Sequence, residues 1–391
     1  MRAHVASPNR SLLESLGRMD LGSVERAWRR SWMRLIGSLS SGKSAETAPD
    51  WDSRPWRILY LRAQGIGDVI LATGVLRAIA QSHETIELDV LTTAVAAPVL
   101  ANNPHVRHVH MLRRSLGHTL GLAASIARAR YDVVIDGKIT RGASFIRSPV
   151  LTMASRARYR IGVGGGNHRA VFNLCVPAYD RSTTHMVDGS ARLALPFGVR
   201  LESTDFRPEI VIAARERESA ERAWTGAARA RSTNGHRWLV NLSAGNARRR
   251  WPDERWIALV SHLRARRPDA TIAVIGVERD TVSIQRVASE GGAVAIAAPQ
   301  LRDALALVST SARVVTCDTS ITHAASAFCV PTVLLLERGQ EQWASWQTPN
   351  EIAYWSGTSV SDIDADSARD TLDRLLARFE GAPVREDASA S

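Results

Sequence analysis

Residues 57–79, RILYLRAQGIGDVILATGVLRAI, decide the fold class. Arg57–Ala63 is an apolar run of strand length, Gly65-Ile66-Gly67-Asp68 is a turn, and VILATGVLRAIAQSH (69–83) has the apolar density of a packed helix. Strand, glycine turn and helix together form the opening unit of a parallel α/β sheet. Outward from it, IELDVLT (86–92), VRHVHML (106–112) and DVVIDGK (132–138) read as further strands. Ala94–Asn102 reads as a short helix and SLGHTLGLAASIARARY (115–131) as a longer one. RYRIGVGGGNHR (158–169) reads as a glycine-rich loop, and HMVDGSARLALPFGV (185–199) as a helix closing a first domain.

The alternation repeats after a charged helix and linker at 213–235. Strands are expected at RWLVNLS (237–243), TIAVIG (271–276), AVAIAA (293–298), ARVVTCD (312–318) and PTVLLLE (331–337). Helices are expected at 255–267, 280–289, 301–311 and 321–329. Two βαβ-rich halves imply two Rossmann-like domains facing a cleft, over 51–212 and 236–358. Around them lie an N-terminal helix and linker (1–50), a last amphipathic helix (359–380) and a tail (381–391) with the composition of a disordered segment.

Composition bounds the function classes. The 391 residues are 45% apolar and 23% charged, which suits a globular protein and excludes a mainly disordered or collagen-like chain. The longest apolar runs fall well short of the roughly 18 residues of a membrane-spanning helix. Met1–Arg10 lacks the apolar centre of a signal peptide, and Cys175, Cys317 and Cys329 lie too far apart for a disulfide framework or a paired-cysteine metal site. A reduced, cytoplasmic protein is expected. Lys+Arg 50 against Asp+Glu 39 gives a net charge of +11, and the only lysines are Lys43 and Lys138. Arginine presents a planar fork to phosphate and carboxylate, so nucleotide, anionic lipid and nucleic acid all suit this field, as does a simple compositional bias.

Three stretches carry candidate chemistry. In GIGD, glycines permit close backbone approach and the following helix offers free N–H groups to an anion. A dinucleotide fingerprint would place a third glycine where Ile70 stands, and no Walker loop follows a strand. Asp68 reads either as a helix-capping carboxylate or as a general base at the mouth of the cleft. In SAGNARRRWPDERW, Arg248, Arg249 and Arg250 read either as a solvated charge run or as a phosphate clamp beyond a strand end. In CDTSITHAASAF (317–328), Asp318, Thr319 and Ser320 open a helix that suits an anion, with His323 one turn in. No second histidine or cysteine at helical spacing makes His323 half of a metal pair. Glu278, after the TIAVIG strand, is either an exposed loop acid or a ribose contact.

Together these motifs resemble glycosyltransferase family 9, the heptosyltransferase family of lipopolysaccharide core synthesis, over about residues 57–350. RILYLRAQGIGDVILATGVLRAI and LTTAVAAPVLANNPHVRHV are similar to its N-terminal signature, and RRWPDERW with DTSITHAASAFCVPTVLL to its C-terminal one. The resemblance implies a GT-B fold with the acceptor on the N-terminal domain and the nucleotide-sugar on the C-terminal one, with ADP-heptose as the expected donor. It also implies inverting transfer with neither metal nor cofactor. By position, Asp68 matches the family's catalytic base after the glycine turn Gly65 and Gly67. Arg249 falls where a lysine contacts the donor phosphate, and Asp318, Thr319, Ser320 and His323 match the donor-site DTGxxH motif. Arginine replaces that lysine, Ser320 replaces the glycine, and RGQEQWASWQTP (338–349) replaces a glycine-rich turn. Two other function classes remain open from the residues: a nucleotide-dependent oxidoreductase of Rossmann type and a non-catalytic sugar-nucleotide binding module.

The N-terminal stretch adds a location. In residues 24–39, Trp28, Trp32, Leu35, Ile36 and Leu39 fall on one helical face, with Arg26, Arg29, Arg30 and Arg34 largely off it. This composition suits a helix lying on anionic lipid. It predicts a peripheral protein at the inner face of the cytoplasmic membrane, facing a glycolipid acceptor, with no nucleic-acid partner.

Overall fold

The computed structural model describes residues 47–379 apart from 114, 138–146 and 165–170. The helix expected at 24–39 and the tail at 381–391 lie outside the described residues.

The described chain forms two six-stranded sheets in which every strand pair is parallel. The first contains β1 (Trp56–Arg62), β2 (Ile86–Thr93), β3 (His108–Leu112), β4 (Val133–Asp136), β5 (Tyr159–Val163) and β6 (Leu174–Val176). Its spatial order is β3-β2-β1-β4-β5-β6. The second contains β7 (Arg237–Asn241), β8 (Thr271–Ile275), β9 (Val294–Ala295), β10 (Arg313–Cys317), β11 (Thr332–Glu337) and β12 (Asn350–Trp355), in the order β12-β11-β10-β7-β8-β9. Counted from its own first strand, the second sheet repeats the order of the first. Both are Rossmann-like, with the reversal of strand order between β1 and β4 and between β7 and β10. Open α/β sheets bind ligands beyond the carboxyl ends of strands at such a reversal.

Central strands read as continuous apolar runs because helices cover both faces. Ile58, Leu59, Tyr60 and Leu61 are buried, and Ile58 is in register with Leu88 and Val133 on its two neighbours. Helix α1 (Ile66–Ser82) buries Val69 to Leu76 almost without interruption, because it is packed on more than one side. Its Gly74 is required by the Phe206 carbonyl, which occupies the space a Cβ would take.

The other helices are α2 (Leu116–Ala129), α3 (Arg147–Ala154), α4 (Met186–Ala191), α5 (Ala214–Arg231), α6 (Asp253–Arg266), α7 (Thr281–Gly291), α8 (Leu301–Ser309), α9 (Ser320–Ala327) and α10 (Ala365–Arg378). The charged stretch between the halves is α5, which buries Ala220, Trp224 and Ala227; the Trp224 indole donates to Thr310 Oγ1 at 3.0 Å. Helix α10 buries Ala368, Leu372, Leu375 and Leu376 against β11 and β12.

Several local expectations differ from the structure. The glycine-rich reading of 158–169 overlooks the five-residue β5, where Tyr159 and Ile161 are buried and pair with Val133 and Ile135 of β4. Strands β6 and β12 and helix α3 were not expected. Each is short or carries polar residues, as NEIAYW does in β12. The single helix expected at 185–199 breaks into α4 and a 3-10 segment, Arg192–Phe197, that contains Pro196. The helix expected at Ala94–Asn102 is a 3-10 turn over Ala97–Leu100, and AVAIAA contributes only Val294–Ala295 as strand.

The halves are joined by specific contacts. Helices α1 and α9 pack against each other, with Val69, Ile70, Ile321, Ala324 and Ala325 in one buried cluster. Arg302 of α8 forms an ion pair with Glu216 and donates to the carbonyls of Val211 (2.6 Å) and Pro98 (3.3 Å). The Trp346 indole donates to Asp188 Oδ1 at 3.2 Å, and Arg207 donates to the carbonyls of Ser326 and Gln347.

Candidate active site

The carboxyl ends of β1 and β10 bring the candidate residues together. Gly65 caps α1, and Asp68 sits three residues on, where its Oδ2 accepts the Gly65 N–H at 3.1 Å. Its other oxygen, Oδ1, accepts from Arg62 Nη2 at 3.0 Å. Capping and chemistry are therefore not alternatives here: the carboxylate does cap the helix, and its side chain still keeps 20% of its surface exposed. Arg62 is one residue that sequence reasoning missed. A charge at the end of a buried apolar strand demands a partner, and that was the available signal.

On the facing domain, Thr319 caps α9, with its Oγ1 accepting the Ile321 N–H at 3.2 Å. Buried Asn241, at the end of β7, donates to Thr316 Oγ1 at 3.0 Å and Thr319 Oγ1 at 3.4 Å, locking the turn. Ser320 starts the helix and His323 lies one turn on, buried, with Nδ1 lacking a hydrogen-bond partner. Burial, followed by the nearby His185 and Arg249, pulls the His323 imidazole down to about 3, so it is neutral near pH 7. Across the cleft, a Cβ on Gly67 would stand 2.5 Å from His323 Cδ2 and 3.6 Å from Ser320 Cα. This glycine is therefore required by close approach of the facing domain.

The three arginines separate. Arg248 donates to the Thr358 carbonyl at 2.8 Å and to Glu337 Oε1 at 3.2 Å, with its guanidinium over the Trp355 ring. Arg250 forms an ion pair with buried Asp280, which also accepts from Ser243 Oγ at 2.8 Å. Arg249 alone reaches the α9 turn: its Nη1 is 3.1 Å from Asp318 Oδ2 and donates to the Asp318 carbonyl at 3.2 Å. Burial pushes the Asp318 carboxyl up, Arg249 pulls it down and Glu337 adds to the rise. Asp280 was missed in the sequence because it reads as an ordinary helix-start acid.

Glu278 is not brought into this cluster. It lies exposed on the 3-10 turn Glu278–Asp280 after β8, a strand that β7 separates from β10. The segment 338–349, by contrast, reaches the cleft. Trp343 lies 6.3 Å from the His323 ring, and His185 of the first domain donates from Nε2 to the Ala344 carbonyl at 3.0 Å. The His185 tautomer is fixed because Nδ1 accepts the Val187 N–H at 3.1 Å. Among the described residues, no group of three His, Cys, Asp or Glu side chains is arranged to hold a metal ion.

Two Rossmann-like sheets whose helices α1 and α9 meet at Gly67 and His323 give the chain the GT-B architecture of glycosyltransferases. The chain belongs to glycosyltransferase family 9 (heptosyltransferase), whose family model matches residues 119–359. The RRWPDERW and DTSITH motifs fall inside that match, and the GIGD turn precedes it.

Among solved structures, a glycosyl transferase family 9 protein from Veillonella parvula DSM 2008 superposes with a TM-score of 0.69 at 17% identity, covering 85% of this chain and 99% of that one. The E. coli ADP-heptose lps heptosyltransferase II gives 0.62 at 18%, covering 83% and 100%. E. coli heptosyltransferase WaaC with ADP-2-deoxy-2-fluoro heptose gives 0.64 at 16%, covering 82% and 100%. These likenesses concern the fold. No curated protein sequence matches the chain.

Proposed function

We propose that this glycosyltransferase moves a heptose from ADP-heptose to a lipopolysaccharide core or similar glycolipid acceptor, with inversion and without a metal. The observation that carries the reading is the pairing of sites across the cleft. Asp68 lies at the carboxyl end of the first sheet, and Arg249 with the Thr319–Ser320 helix start lies at that of the second.

In this reading the acceptor hydroxyl oxygen bonds to the anomeric carbon as the bond from that carbon to the diphosphate oxygen breaks. Asp68 takes the hydroxyl proton. The leaving diphosphate gains negative charge, which Arg249 and the N–H groups at the start of α9 stabilise from fixed positions. Both are preorganised: Arg249 by Asp318, and the helix start by Asn241 and Thr319. His323 takes part as a neutral imidazole, able to donate or accept but adding no charge. Glu278 is assigned to the outer edge of the donor site, where a ribose hydroxyl would lie.

Transfer assays across ADP-, GDP- and UDP-sugars, with heptose-deficient lipopolysaccharide as acceptor, test the reading. The expected result is selective use of ADP-heptose, an inverted product anomer and no loss on chelation by EDTA. Hydride transfer with a nicotinamide cofactor, or donor binding without turnover on any acceptor, would contradict it.

The proposal places the protein peripherally at the inner face of the cytoplasmic membrane through residues 24–39. No helix among the described residues is long and apolar enough to cross a membrane. Full-length protein should sediment with anionic vesicles and a chain beginning at Asp50 should not; equal binding by both would remove that helix as the anchor.

A further inference from the structure

We infer that Arg62 is a positioning residue that aims the Asp68 carboxylate into the cleft, an inference that rests on Asp68 being the base. Arg62 ends β1, and its side chain is only 1% exposed. Its planar fork is divided between two elements. Nε donates to the Asp68 carbonyl at 3.0 Å, Nη2 donates to Asp68 Oδ1 at 3.0 Å, and Nη1 donates to the Gly137 carbonyl at the end of β4.

Each partner is itself fixed. Gly137 N–H donates to the Leu61 carbonyl at 2.9 Å, and a side chain at 137 would strike the Tyr60 ring. The backbone of Arg62 is pinned by Thr92, whose hydroxyl donates to its carbonyl at 2.9 Å. The Gly65 N–H holds the remaining Asp68 oxygen.

The consequence is a carboxylate with one fixed donor on each oxygen, mounted across the strand reversal between β1 and β4. Arginine suits this post and lysine does not, because three donors must lie in one plane and point to two elements. Arg62 need not touch substrate. It acts by holding Asp68, and a displacement of about 1 Å in a catalytic group costs on the order of 10²-fold in rate.

A double-mutant cycle on the full chain tests this, with ADP-heptose as donor and heptose-deficient lipopolysaccharide as acceptor. Arg62→Met should lower kcat by about 10- to 100-fold with donor KM within about twofold of wild type. In an Asp68→Asn background the same change should add almost nothing, because the group it positions is already disabled. Millimolar guanidinium should restore part of the activity of Arg62→Ala. If Arg62→Met does not fold, Arg62→Lys carries the same cycle, since it keeps the charge and loses the fork. Equal losses in both backgrounds, or a loss confined to KM, would show a purely structural arginine and overturn the inference. A fully active Asp68→Asn protein would instead remove the base reading, and the role of Arg62 with it.

Discussion

Gly67 and His323 meet across the cleft so closely that a methyl group on the glycine would stand 2.5 Å from His323 Cδ2. One residue belongs to the turn that carries Asp68 and the other to the helix that Thr319 caps. The close approach of the two elements therefore requires a residue without a side chain at 67, for steric reasons rather than for backbone freedom.

Gly67→Ala is accordingly expected to fold and to lose turnover, by on the order of 10²-fold if the half-sites shift by about 1 Å. Circular dichroism and steady-state kinetics on the same preparation check it. Unchanged kcat would mean that the facing helix moves aside at no cost to function.

The arginine block gives a prediction of selectivity. Arg249→Ala should cost about 2–4 kcal/mol of transition-state stabilisation, the scale of losing one preorganised charged donor. Arg248→Ala and Arg250→Ala should act mainly on stability, since these side chains are engaged with Glu337 and the Thr358 carbonyl and with Asp280. Comparison of kcat/KM with melting temperature for the three variants separates the roles. A larger kinetic loss at 248 or 250 would move the phosphate contact off Arg249.

The buried histidine predicts how stability depends on pH. His323 is pulled down to about 3 by burial first, then by His185 and Arg249. An unfolded histidine titrates near 6.5. Between those values the unfolded chain binds a proton that the folded chain does not, so stability falls as pH drops below about 6.5. By pH 5 the linkage amounts to about 2 kcal/mol. Melting temperatures of wild type and His323→Gln between pH 7 and 5 should converge as the pH falls, with the variant showing the shallower slope. Parallel curves would contradict a buried neutral imidazole.

Much of this arrangement was legible in the sequence. The strand–glycine–helix unit at 57–79 and its echo at 312–329 point to both sheets, because continuous apolar strands followed by capped helices have few other folds to adopt. Asp68, Arg249, Asp318 and His323 lie where glycine turns and strand ends place them. Contacts between the halves were not legible. That Arg248 and Arg250 turn to Glu337 and Asp280 while Arg249 turns to Asp318 depends on which strand ends lie adjacent, and three consecutive arginines look alike in sequence. Arg62 was hidden for a related reason: its partners are six and seventy-five positions away. The edge strands β6 and β12 escaped for different reasons: β6 has only three residues, and β12 opens on the polar pair Asn350-Glu351.

In the proposed reaction Asp68 deprotonates the acceptor while ADP-heptose donates the sugar. The most direct test measures transfer from ADP-heptose by wild type and Asp68→Asn, alongside donor affinity by calorimetry. The variant is expected to fold, to bind donor within about twofold of wild type and to lose about 10²-fold or more in kcat. Near-wild-type transfer by a folded Asp68→Asn protein would contradict it.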